Sequence, residues 1–259
     1  KESSAASDVY KRQALDSSGL VASVAVVEND TLLAEYTVNY KKTHSQTLLP
    51  MLDEISNMTE LDLSTIDAIA VAGGPGSFTG LRIGSATAKG LGLALEKPLI
   101  SIPTTAAIAY NIWDTNKFVC PIMDARRNQV YTGVYCYTDH RLDTVWEQDT
   151  MSIEALAEGL NCLDHEVIFL GDGVAVYREK LEALLTIPFS FAPAHVNRQR
   201  AAAVGALAEV YYKEGKIQTA EEHEPEYLRK SQAERERAER ESVKHADVVK
   251  KQENGEKSE

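Results

Sequence analysis

Short apolar runs broken by turns, with helical periodicity between them, dominate this chain. The runs 20–27 and Thr31–Val38 flank Glu28-Asn29-Asp30 and predict a β-hairpin. Thr43-His44-Ser45-Gln46 fits a capping box, and Leu48, Leu52 and Ile55 give the helix it opens an apolar face. Pro50 is placed to kink that helix. A buried strand at 68–72 runs into the glycine-rich stretch 73–84, GGPGSFTGLRIG, followed by a long helix to about Leu95 and a strand at 99–102. The second half repeats this order. Runs 118–123 and 129–137 read as paired strands joined by Asp124-Ala125-Arg126-Arg127-Asn128. A helix near 152–160, a strand Val167–Leu170 ending in Gly171-Asp172-Gly173, a helix through about Leu185 and another over 198–214 complete it. Gly215 is a suitable C′ residue for the last helix. Alternating strands and helices define an α/β class. A hairpin at the head of each half implies two related subdomains, 14–103 and 104–228, although no sequence-level repeat is visible.

Composition narrows the setting. With 259 residues, 44% of them hydrophobic, the chain can bury one large core or two small ones. No apolar run approaches the roughly 18–20 residues of a membrane span, and residues 1–13 have no signal-peptide h-region. Cys120, Cys136 and Cys162 are odd in number and form no CxxC pair, which fits reduced thiols in a cytoplasmic protein. Residues 229–259 hold nine Lys/Arg and eight Asp/Glu, so the rest of the chain carries −13 of the net −12. A body this acidic is unsuited to direct RNA binding, which needs clustered cations. Beyond Tyr227 there is no aromatic, and the tail 229–259 is expected to be a solvated helix that frays into disorder.

The stretch 73–84 is the most specific motif. It is neither GxxxxGK[ST] nor GxGxxG. Its glycines permit positive φ at a strand-to-helix turn, Pro75 fixes one dihedral, and Ser77 or Thr79 can cap the helix. Along that helix Gly80, Gly84, Ala88 and Gly92 recur every four residues as a small-residue stripe. Such a stripe suits either packing on the chain's own sheet or close approach of a helix from a second protein. Catalytic signals are missing. The six histidines make no HxxxH or HExxH, no GxSxG occurs, and no cysteine stands in a motif.

The run GGPGSFTGLRIGSATAKGLGLAL resembles the signature of the TsaB (YeaZ) family. Lys42-Thr43-His44-Ser45 with Leu48-Leu49-Pro50 is similar to that family's first helix, Asp124-Ala125-Arg126-Arg127 through Val130-Tyr131 to the start of its second half, and Pro225-Glu226-Tyr227-Leu228-Arg229 to its C-terminal motif. The resemblance covers about residues 14–229. It implies the ASKHA fold of actin-like and sugar-kinase-like proteins, with two related subdomains, to which the composition adds a charged C-terminal extension. It also implies a non-catalytic partner in the synthesis of N6-threonylcarbamoyladenosine in tRNA, pairing with the catalytic paralogue TsaD and with TsaE, or with itself when alone. The paralogue holds its metal through a histidine pair that this chain lacks, so neither catalytic nor metal-ligating residues are expected. The expected partner interface comprises Thr43, His44, Leu48, Ser77, Phe78, Gly80, Leu81, Arg82, Gly84, Ala88 and Gly92. Asp16, Ser17 and Ser18 stand where ASKHA proteins approach nucleotide phosphates, and Gly171, Asp172 and Gly173 where they approach adenosine. Both stretches are also ordinary turn sequences, with ATP or ADP at the joint with the paralogue as the functional reading. The alternative is an enzyme acting alone, a metalloprotease-like hydrolase or an ASKHA-type kinase.

Family members begin with an apolar strand where this chain has Lys11, Arg12 and Gln13. Residues 1–13 are therefore expected to be a leader foreign to the fold, and Arg12 to be exposed or to twist its strand, because an unpaired buried guanidinium is strongly unfavourable.

Overall fold

The computed structural model describes residues 10–40 and 43–229. The chain divides after Glu226 into two units. Of the second only Tyr227, Leu228 and Arg229 are described, so the expected helical tail lies, beyond Arg229, outside the described residues.

The first unit contains two five-stranded sheets of matching topology. In the first, β1 (Lys11–Asp16), β2 (Ala22–Glu28) and β3 (Thr31–Val38) form an antiparallel meander. Helix α1 (His44–Met58) then leads to β4 (Ala68–Gly74), parallel to β1, and α2 (Phe78–Leu95) to β5 (Leu99–Pro103), parallel to β4. The short α3 (Thr104–Ala109) ends this half. The second sheet repeats the pattern with β6 (Phe118–Asp124), β7 (Gln129–Thr138), β8 (Arg141–Ser152), α4 (Ile153–Asn161), β9 (Val167–Leu170), α5 (Gly173–Leu184), β10 (Phe189–Phe191) and α6 (Ala201–Lys213). The orders β3-β2-β1-β4-β5 and β8-β7-β6-β9-β10 correspond element for element. This duplication is the ASKHA arrangement that the sequence led us to expect.

Three apolar clusters show how the layers stack. Ala14, Ala70, Ile100 and Ile102 of the first sheet, Val119 and Leu170 of the second, and Ile108 and Val204 of α3 and α6 share one core. Helices α3 and α6 thus fill the space between the sheets. Leu48, Leu52, Ile55 and Ala88 cover the opposite face of the first sheet, and Leu156, Leu160, Val174 and Leu181 that of the second. Helix α6 packs on β1 and β2, so an element of the second half completes the first sheet and the expected boundary at 103/104 does not separate the two cores. Gly215, at φ 72°, ends α6 with the pattern its position predicts: Gly215 N–H donates to the Tyr212 oxygen and Lys216 N–H to the Tyr211 oxygen, both at 2.9 Å.

Several expectations need correction. Strand β1 begins at Lys11, inside the segment expected to be a foreign leader, and Arg12 is fully buried. Its charge is not left alone there. Nη1 donates to Glu209 Oε2 of α6 at 2.6 Å, Nη2 donates to the Asn29 carbonyl, and the guanidinium lies 4.7 Å from the Tyr10 ring centre. A partner supplied from 197 residues away offsets much of the penalty that argued for exposure, although Nε is buried without a partner. Strands β8 and β10 and helix α3 were not anticipated. Strand β8 is a sheet edge whose exposed residues, Arg141, Asp143, Thr144, Glu147 and Asp149, are all polar and interrupt its half-buried apolar ones, so it carries no long apolar run. The capping box at α1 does not close, because Thr43 Oγ1 donates to Gln46 Oε1 at 2.8 Å and makes no bond to the helix backbone.

Candidate functional site

The glycine-rich stretch is the turn between β4 and α2. It contains a cis Gly74–Pro75 bond and ends at Ser77, whose Oγ accepts the Gly80 N–H at 3.3 Å as N-cap. The loop after β1 lies directly against it. Ser77 N–H donates to the Ser18 carbonyl at 2.6 Å, and Ser17 Oγ donates to the Gly80 carbonyl at 2.9 Å. A Cβ at Gly76 or Gly80 would fall on the Ser18 or Ser17 carbonyl oxygen, and one at Gly84 on Ser17 Oγ. The glycines are there so that the two loops can touch.

That packing answers the question of the small-residue stripe. Gly80, Leu81, Gly84, Ala88 and Gly92 are buried within the chain, against β1, Val71 and Leu99. Leu48 of α1 is buried as well. These six residues of the expected partner interface face inward. Thr43, Ser77 and Arg82 are exposed, His44 and Phe78 partly so, and the Arg82 guanidinium lies 4.0 Å from the Phe78 ring centre. The outward face of α2 is a second row of the same spacing, Arg82, Ala86, Gly90 and Ala94, flanked by Leu93 at 58% exposure. Nothing lies within 4 Å of a Cβ built at Gly90. Helix α1 packs alongside and exposes Leu49. The row that the sequence singled out faces the chain's own sheet. Arg82 at the head of the second one was the signal, since a guanidinium at that position belongs in solvent.

The Asp16–Gly19 loop is closed. Asp16, Ser17 and Ser18 are all buried. Asp16 Oδ1 accepts from Ser18 N–H at 2.9 Å and from Ser18 Oγ at 2.7 Å, while Oδ2 is buried without a partner. Burial pushes this carboxyl up to about 6, against the bonds from Ser18 and the nearby His44. His44 Nε2 bonds the Gly19 oxygen at 2.8 Å. With Ser17 and Ser18 committed inside the chain and the carboxyl shielded, this loop does not fit a nucleotide phosphate. At the second candidate contact, Gly171 (φ 101°) and Gly173 crowd the Ile122 carbonyl, and Asp172 Oδ1 accepts the Asp124 N–H at 3.0 Å. Burial raises the Asp172 carboxyl above its usual range. This is a packed turn between β9 and α5, set against the end of β6.

The described histidines face separate neighbours: His140 meets Asp114, His165 the Asn116 carbonyl and His223 Gln218. Among the described residues no group of three His, Cys, Asp or Glu could hold a metal ion. Nor is any helix among them long and apolar enough to cross a membrane. A feature that sequence reasoning did not see ties the C-terminal motif to the turn. Glu226 N–H donates to the Gly73 carbonyl at 2.7 Å, and Gln148 Nε2 of β8 donates to Glu226 Oε2 at 2.5 Å and to the Gly74 carbonyl at 3.2 Å.

Comparison with known proteins agrees with this geometry. A family model described as TsaD: tRNA N6-adenosine threonylcarbamoyltransferase matches residues 31–237. The tRNA threonylcarbamoyladenosine biosynthesis protein TsaB of Bacillus subtilis (strain 168) is 31% identical over 221 residues, covering 85% of this chain and 95% of that protein. The protein of the same name from Escherichia coli (strain K12) is 30% identical over 228 residues, with the same coverage. The solved structure of YeaZ from Pseudomonas aeruginosa aligns with a TM-score of 0.74 at 26% identity, over 85% of this chain and all of that one.

Proposed function

Because the chain belongs to the TsaB family of tRNA threonylcarbamoyladenosine biosynthesis proteins, we propose that it is the non-catalytic subunit of that machinery, pairing with TsaD and with TsaE in the cytoplasm. The observation that carries this reading is the outer face of α2. Arg82, Ala86, Gly90 and Ala94 make a row with almost no side-chain bulk beyond its first residue, and Leu93 stands exposed beside it. A partner helix can approach such a row at the short end of the roughly 8–10 Å packing range. The same face suits self-pairing when the catalytic paralogue is absent. ATP or ADP at the joint is assigned to the paralogue's own groups, since Ser17 and Ser18 are committed within this chain. The acidic body leaves tRNA to the partners.

Reconstitution tests the assignment. The chain alone transfers no threonylcarbamoyl group to tRNA, and adding it to TsaD and TsaE with substrates starts the reaction. Turnover by the chain alone would overturn the proposal in favour of a lone enzyme.

A further inference from the structure

The hairpin turn between β6 and β7 carries chemistry that neither the core nor the α2 face uses. Arg126, Arg127 and Asn128 have φ of 65°, 55° and 59°, three successive non-glycine residues in the left-handed region. Side chains avoid that region, and runs of it persist where the surroundings impose them. Here they do. Asp124 Oδ1 accepts the Arg126 N–H at 2.9 Å, Ala125 and Gln129 close the turn, and Asn128 is clamped between Glu154 and Lys180. Glycine would adopt this backbone without strain, yet the positions hold two arginines. The Arg126 side chain is 86% exposed and Arg127 is exposed too. No acceptor among the described residues takes the N–H of Arg127 or of Asn128. Two guanidinium groups and two adjacent free amides thus meet on a fixed turn, in a body that is otherwise strongly acidic.

We propose that this turn is a docking point for a carboxylate-bearing segment of a partner protein. The local balance selects that ligand. Arg126 pairs with Asp124 and Lys180 with Glu154, and Arg198 lies near Asp172, which leaves the Arg127 charge in excess. One excess charge suits a single carboxylate, held by a guanidinium fork and backbone amides. It is too little for RNA, whose binding depends on neutralising many phosphates, and the −13 body repels a polyanion. The assignment is separate from the α2 interface and does not depend on it.

The experiment follows a rhodamine-labelled, C-terminally amidated pentapeptide carrying one glutamate by fluorescence anisotropy on the full chain at low ionic strength. The native chain binds it. Arg127→Gly weakens binding roughly tenfold, the loss of one charged hydrogen-bonding group, while its melting temperature holds or rises because the strain is relieved. A control with the same loss of charge elsewhere, Lys97→Ala, binds as the native chain does. The proposal is overturned if the native chain ignores the peptide, or if Arg127→Gly binds it unchanged. It is equally overturned if an oligoribonucleotide binds the turn more tightly than the peptide and loses that binding in Arg127→Gly.

Discussion

Glu226 donates its backbone N–H to the carbonyl oxygen of Gly73 at 2.7 Å, joining the last motif of the first unit to the glycine-rich turn 153 residues earlier. Its carbonyl occupies the space where a Cβ on Gly74 would sit, and Gly74 has φ of 126°. Gly74→Ala therefore meets both strain and backbone, and is expected to cost about 2–4 kcal/mol in denaturant unfolding. Gln148→Ala removes a side chain that reaches Glu226 and the Gly74 carbonyl, and should cost about 1–2 kcal/mol.

The two glycine rows of α2 make opposite predictions. Gly80→Ala forces a methyl onto the Ser17 carbonyl and is expected to cost about 1–3 kcal/mol. Gly90→Ala meets nothing and removes a flexible residue from a helix interior, so it should stabilise by roughly 0.5–1 kcal/mol. Thermal melts of the two single variants decide between the inward and outward assignments.

The buried Arg12 depends on Glu209. Glu209→Ala strands a buried guanidinium and is expected to cost about 3–5 kcal/mol, whereas Arg12→Met, a similar volume without the charge, should cost much less. Burial alone would raise the Glu209 carboxyl, but the bonds from Lys213 and Arg12 outweigh it and hold it below its usual range. A depressed carboxyl stabilises above its unfolded value, so this contribution fades as pH falls through the folded value. Stability followed from pH 6 down to pH 2 should fall with a smaller acid loss in Glu209→Gln.

Asp16 has the opposite sign. Its folded value is raised from 3.8 to about 6, so the folded state holds the proton more tightly between those values. Its penalty is absent below the unfolded value and grows as pH rises through about 6. Asp16→Asn keeps an oxygen for Ser18 and is expected to stabilise by on the order of 1–3 kcal/mol at pH 7.5, with little gain at pH 4. Chemical denaturation at the two pH values measures it.

The legible part of the fold was the part encoded in contiguous apolar runs. Strands β2, β4, β6 and β9 and helix α2 were readable because each is sheltered on both sides or strongly periodic. Strand β8 was not, because an edge strand alternates polar with half-buried residues and resembles a loop. Arg12 was misjudged for a related reason: its partner Glu209 lies on α6, and sequence order does not show which helix covers which sheet. In the site, a four-residue spacing marked small rows on α2 without saying which row faces in. The contact of Ser17 with Gly80 and Gly84 decides that, and it joins residues more than sixty positions apart.

The central claim is that the outward row of α2 binds the catalytic paralogue. Gel filtration of the chain mixed with TsaD, using Gly90→Arg beside the native chain, tests it most directly. The account predicts co-elution for the native chain, separate elution for Gly90→Arg, and a circular-dichroism melting point unchanged by the substitution, since Gly90 has open space around it. A Gly90→Arg chain that still co-elutes with TsaD as the native chain does would contradict it.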